Sequence, residues 1–172
     1  MALLFANNNS LSAITTKPSG LSGGSMNLIS TQTASSSSTI SFTSGIDSTY
    51  DEYVFKFYNI HPATDNADFN FQTSTNSGGS YGVTVTNTFF SAYHNEGDSG
   101  TSLGYRTGAD LAQSTNFIEL GDEIGNENDQ CFCATLHLYD PSSTTFVKHY
   151  IYRGSNTQGN GDYMVDILAA GY

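Results

Sequence analysis

No tryptophan occurs among the 172 residues, and only 5 lysines and arginines stand against 16 aspartates and glutamates. The missing tryptophan removes the largest ring for stacking on a sugar, and leaves that task to tyrosine. The few cations, Lys17, Lys56, Arg106, Lys148 and Arg153, are scattered along the chain. A surface that tracks phosphates needs them clustered, so nucleic acid is excluded as a partner. Long apolar runs are missing too. Met1 to Ala6 is apolar but has no basic lead and runs directly into Asn7-Asn8-Asn9. It is too short for a secretory core segment or a bilayer span. The reading is a protein made in the cytoplasm and assembled rather than secreted, with no membrane partner.

Cysteine is nearly absent as well: Cys131 and Cys133 are the 2 in the chain. Two apart in a strand, they point to one face, and a bridge between them would be strained. The expectation is a pair of small buried hydrophobes. Metal binding would need further soft ligands, and no second cysteine pair supplies them.

Charged residues make up only 12% of the chain, whereas aromatics make up 13%, as 11 Tyr and 11 Phe. Ordinary disorder has the opposite balance. The formal net charge of -11 gives solubility and mutual repulsion and suits the exterior of a particle. A chain of this length builds one domain with a real core.

Apolar periodicity is that of strands. Tyr53 to Ile60 puts Tyr53, Phe55 and Phe57 on one face and Val54, Lys56, Tyr58 and Ile60 on the other. Gln130 to Tyr139 turns Phe132, Ala134, Leu136 and Leu138 inward, and Asp68 to Thr73 aligns Phe69 with Phe71. Further strands are expected at 26–31, 39–43, 81–91, 116–120, 145–152 and 164–170. The adjacent Phe89-Phe90 suggests a bulge or a crossing between sheets. Turn clusters separate the strands, among them Ser35 to Ser38, Ser77 to Ser80 and Gly159 to Asp162. No stretch carries a helical stripe, although Gly108 to Ser114 has room for one helical turn. The pattern predicts an all-β fold, an antiparallel β-sandwich of jelly-roll type over residues 26–172. Residues 1–25, rich in Asn, Ser and Gly, read as an extended N-terminal arm. Its isolated Leu3, Leu4, Phe5, Leu11 and Ile14 are the candidate assembly contacts.

The wording of several segments resembles virion structural proteins of marine tailed bacteriophages, the cyanophage type in particular. The stretches are Ile46 to Pro62, Asn87 to Glu96, Ser102 to Tyr105 and Leu136 to Thr145, and the likeness covers most of the chain from about Leu28. The resemblance implies a non-enzymatic virion protein, with a capsid decoration or cement role foremost. It would link neighbouring capsid subunits, or copies of itself in a homo-oligomer, by burying arm and sandwich surface. A tail, fibre or fibre-adaptor component is the alternative. Such proteins continue with a further strand pair after the position of Gly171-Tyr172, so the resemblance implies completion by the arm, by a neighbour or by additional chain.

Chemistry-bearing patterns are sparse. No Gly-x-Ser-x-Gly, phosphate-binding loop or paired-histidine metal motif is present, so no catalytic residue is assigned. His61 and His94 fall in turns, while His137 and His149 are expected on adjacent strands, where they could face each other. The acidic run from Gly121 to Asp129 reads as a solvated loop; its spacing is not that of a calcium loop. Glu96, Asp98, Glu119 and Glu123 form no recognisable glycosidase pair. Neither cofactor nor metal is expected. A function of another class, a carbohydrate-binding module that touches host glycans, would rest on Tyr93, Tyr105, Tyr152 and Tyr163 as stacking surfaces.

Overall fold

The computed structural model describes residues 26–172. The candidate arm contacts Leu3, Leu4, Phe5, Leu11 and Ile14 lie outside the described residues. The chain divides after Thr33; residues 26–33, the described part of the first unit, are exposed and without regular structure. The second unit, Ala34–Tyr172, holds nine strands and no helix. They are β1 (Glu52–Ile60), β2 (Ala67–Phe71), β3 (Val85–Asn95), β4 (Thr101–Tyr105), β5 (Leu111–Ser114), β6 (Ile118–Ile124), β7 (Phe132–Tyr139), β8 (Tyr150–Thr157) and β9 (Tyr163–Gly171).

Seven strands form one antiparallel sheet in the order β1-β7-β8-β9-β3-β4, with β5 also against β3. β4 pairs with Phe90 to His94 of the long strand β3, and β5 with its beginning at Val85 and Asn87. β2 and β6 make a separate two-stranded sheet. The sandwich-like antiparallel reading therefore holds, whereas two four-stranded sheets of a jelly roll are not formed.

Alternation decides which side of the large sheet is buried. On β3, Val85, Asn87, Phe89 and Ser91 are buried and the residues between them are not. On β9 the buried set is Val165, Ile167 and Ala169. The β2–β6 ribbon lies over this inner face. Phe69 packs against Phe57 at 5.3 Å and Phe132 at 5.2 Å, and Phe71 meets Tyr150 edge-on at 5.5 Å. Such aromatic pairs add about 0.5–1.5 kcal/mol each beyond the area they bury. Tyr53 is buried, and Phe55 and Phe57 pack half-buried against the core as their spacing predicted.

Tyr152 ties the layers together. Its ring stacks on Phe132, and its hydroxyl donates to the Leu120 carbonyl on β6. Gly154 makes this possible, because a Cβ there would stand 2.0 Å from the Tyr152 hydroxyl.

Several expectations are corrected. Residues 26–31 and 39–43 form no strand. Side chains rather than a backbone ladder dock the second segment: Phe42 meets Phe55, and the Tyr81 hydroxyl donates to Ser41 Oγ at 3.3 Å. Phe89-Phe90 is neither a bulge nor a crossing, since β3 pairs with β9 without a shift from Asn87 to Asn95. Phe89 is simply inside and Phe90 outside. Gly108 to Ser114 forms a turn and then β5, not a helical turn. β8 begins at Tyr150 rather than Thr145, because the Ser143 hydroxyl accepts from the amides of Thr145 and Phe146 and holds that segment as a loop. Both cysteines are free and half-buried instead of buried, and Cys133 accepts the Asn59 amide at 3.4 Å.

Candidate functional site

Where the β2–β6 ribbon ends, the inner face of the large sheet is left partly open. A cleft of about 250 Å³ forms there, lined by Tyr93, Arg106, Asp122, Glu123, Gln158, Tyr163 and Val165. Tyr93 and Val165 are cross-strand partners on β3 and β9, and Tyr163 sits two pairs further along, opposite Asn95. Inward parity places both tyrosines on the core side, but no ribbon covers them. Their rings meet edge to face at 5.0 Å and 77°. Gln158 enters from the end of β8, where its amide donates to the Tyr163 carbonyl.

β6 supplies the polar floor. Ile118, Leu120, Asp122 and Ile124 share one face of that strand and all are buried, so a carboxylate sits inside an apolar alternation. Asp122 is only 6% exposed. Its Oδ2 accepts from Arg106 Nη1 at 2.7 Å and from Gln158 Nε2 at 2.9 Å. Its backbone carbonyl accepts from Asn156 Nδ2 at 2.8 Å. The Asp122 hydrogen bond raises the Arg106 guanidinium above its ordinary value. No described residue donates to Asp122 Oδ1. The Arg106 side chain lines the cleft and is 40% exposed.

Glu119 lies nearby on the opposite face of β6, paired with Asn70 of β2. Its Oε1 is buried with no hydrogen-bond partner. Burial, reinforced by the carboxylates of Asp122 and Asp68, pushes its pKa up to about 7.

Of the four candidate tyrosines, the fold brings together Tyr93 and Tyr163. Tyr105 is on the other side of the sheet, facing Phe90, and its hydroxyl donates to Asp110 at 2.7 Å. Tyr152 is fully buried and presents nothing to a ligand, because its inward position falls directly beneath β6. The acidic run is corrected in part: residues through Ile124 belong to β6, and Asp122 is an inward, ion-paired group rather than a solvated one. His137 and His149 do not meet. His137 pairs with Glu52 at 2.6 Å, and His149 packs against Tyr172. Among the described residues no three His, Cys, Asp or Glu side chains are grouped to hold a metal ion. No helix among the described residues is long and apolar enough to cross a membrane.

Arg106, Asp122 and Gln158 were missed in the sequence. One signal pointed to Asp122, a charge at an inward position of the Ile118-Leu120-Ile124 alternation, whereas nothing local marked Arg106 or Gln158.

The second candidate surface is the outer face of the large sheet. Phe90 opposes Tyr105 on one side and Leu168 on the other, Ala92 opposes Leu103, and Ile151 opposes Ala170. Leu103 is 79% exposed, and Leu168 and Ile151 about half. At one end this face dips into an open hollow of about 420 Å³ bordered by Tyr139, His149, Ile151 and Tyr172. No protein-family model, curated protein or solved structure matches the chain.

Proposed function

We propose that the chain is a non-enzymatic structural protein of a tailed-phage virion, a capsid decoration or cement protein. In this reading it binds a neighbouring capsid subunit through the outer face of its large sheet. The observation that carries the reading is the apolar, charge-balanced character of that face on a strongly acidic chain.

Fully burying a Leu, Ile or Phe is worth ~1.5–3 kcal/mol. A contiguous group of Phe90, Leu103, Tyr105, Ile151 and Leu168 left in water is the mark of an interaction surface. The charges on the strands of this face are Lys56 and Arg153 against Glu52 and Asp166, and they cancel. Arg153 is paired with Asp166 at 2.8 Å and Glu52 with His137 at 2.6 Å. The chain as a whole carries -11. A neighbour approaching elsewhere meets more of that negative charge than on the strands of this face. Six strands spaced ~4.8 Å apart, with lengths of ~30 Å, offer roughly 700 Å² before side-chain relief is counted. That is close to the ~800 Å² per partner of a standard stable interface. The partner that fits is a subunit with a flat apolar surface.

The arm residues Leu3, Leu4, Phe5, Leu11 and Ile14 are proposed as a second contact, on the sequence alone. Fixing such a segment costs on the order of 1–2 kcal/mol per residue, so it needs a partner surface.

The test is to purify the virions and locate the chain by mass spectrometry and in a density map. The expected result is a fixed copy number on the capsid exterior, with the β3–β9–β8 face against a capsid subunit. Absence from purified particles overturns the virion role. Density in the tail or fibres replaces cement with a tail component, and an outer face left in solvent overturns the proposed contact.

A further inference from the structure

We propose that the cleft at the open end of the sandwich binds an uncharged sugar ring, the terminal residue of a glycan. The inference is independent of the assembly reading, since it uses the opposite side of the large sheet.

Three observations carry it. The first is the pair of tyrosines. Tyr93 and Tyr163 brace one another edge to face, so each ring is held and little side-chain freedom remains to be lost when a ligand arrives. Their rings offer an apolar platform for the C–H face of a sugar.

The second is the set of polar groups beside that platform. Asp122 is more than nine-tenths buried, yet it lines the cleft and its Oδ1 accepts nothing from the described residues. Gln158, 8% exposed, commits its Nε2 to Asp122 and leaves its Oε1 free. Arg106 commits Nη1 and retains other donors. A sugar hydroxyl both donates and accepts, and adjacent hydroxyls match planar groups of this kind, with carboxylate and amide oxygens as acceptors and guanidinium N–H groups as donors. Asp122 is held by Arg106, Gln158 and the Asn156 contact to its carbonyl, so the acceptor is placed before any ligand binds.

The third is charge and size. Arg106 and Asp122 cancel, and Glu123 adds a negative group at the rim. An acidic sugar is disfavoured by Glu123 and by the acidic chain, and with Arg106 and Asp122 paired the site offers a neutral ring both donors and acceptors. The volume of about 250 Å³ lies below the ~300–1,000 Å³ of clefts that enclose drug-sized ligands. It takes one ring and leaves the rest of a glycan in solvent.

The experiment is titration of the full chain with glucose, galactose, mannose and their methyl glycosides, with N-acetylneuraminic acid and glucosamine as charged comparisons. Backbone amide shifts are followed by NMR. At least one neutral sugar should bind with Kd on the order of 1 mM, a strength suited to multivalent contact. The shifted amides should cluster at Arg106, Asp122, Gln158 and Tyr163. Tyr93→Ala should weaken binding at least tenfold, and Tyr105→Ala, on the other face, should leave it unchanged. Shift mapping on the unaltered chain keeps the proposal testable if Tyr93→Ala does not fold. No neutral sugar binding at 50-fold above that concentration, binding only of a charged sugar, or shifts clustered outside the cleft would each overturn it.

Discussion

Arg106 Nη1 lies 2.7 Å from Asp122 Oδ2, and this ion pair joins the segment after β4 in the large sheet to the middle of β6 in the small one. Asp122 is nearly enclosed, whereas the Arg106 side chain is partly in solvent. Removing the cation therefore leaves a buried carboxylate with Gln158 as its remaining side-chain partner. Breaking a fully buried pair costs ~3–5 kcal/mol. With the exposure of Arg106 discounted, Arg106→Ala should cost about 2–3 kcal/mol in urea unfolding. Arg106→Lys should recover only part, because an ammonium lacks the planar fork. An unfolding midpoint unmoved by Arg106→Ala would show that the pair does not hold the two sheets.

Phe89 and Phe90 provide an internal comparison of the two faces. Phe89 is completely buried and Phe90 is 42% exposed. Phe89→Ala should cost ~3–5 kcal/mol, a large share of the ~5–15 kcal/mol typical of a domain. Phe90→Ala should cost about 1 kcal/mol or less. Equal losses for the two variants in thermal unfolding would place the core on the wrong side of β3.

Glu119 should give stability a pH dependence of definite sign. Its carboxyl rises from the ordinary 4.5 to about 7 in the folded chain. Between those values the folded state holds a proton that the unfolded state has lost. The contribution is thus fully present below about pH 4.5, is lost as pH rises through 7, and is flat beyond. Partial solvent access reduces its size to about 1–2 kcal/mol. Glu119→Gln should remove this component, so that the difference between variant and parent grows from pH 4.5 to 7 and favours the variant at pH 8. A constant difference across that range in urea titrations would reject the assignment.

The apolar outer face can be tested without disturbing the core. Leu168→Asp and Ile151→Asp alter side chains that are about half exposed, so the far-ultraviolet spectrum should stay that of the parent and stability should shift by about 1 kcal/mol or less. Under the proposed capsid contact, incorporation into virions should fall by at least tenfold for the double variant. Normal incorporation of a folded double variant would exclude this face from assembly.

Much of the architecture was legible because its cause is local. Tyr53, Phe55 and Phe57 alternate with more polar residues, and Leu136 and Leu138 do the same on the strand that pairs with theirs. A two-residue period needs no knowledge of the partner. β8 was misplaced for the converse reason. Arg153-Gly154-Ser155-Asn156 looks like a loop, yet Gly154 is required beneath the Tyr152 ring and Asn156 donates to the Asp122 carbonyl. Those demands come from residues far away in the chain.

The tyrosines separate the two kinds of knowledge most clearly. Tyr93, Tyr152 and Tyr163 all occupy inward positions of alternating strands, and alternation is as much as local order can specify. Whether such a ring is enclosed or open depends on where β6 crosses the large sheet. β6 passes over Tyr152, which is fully buried, and stops short of Tyr93, which remains 37% exposed. The same crossing brings Asp122 to Arg106, sixteen residues away in sequence. Composition and period set the all-β class and the inward faces, because each strand carries that pattern alone. The cleft, the half-buried ion pair and the uncovered apolar face exist only once a two-stranded sheet is laid over part of a seven-stranded one. Burial is a property of what covers a residue, and no single strand encodes its cover.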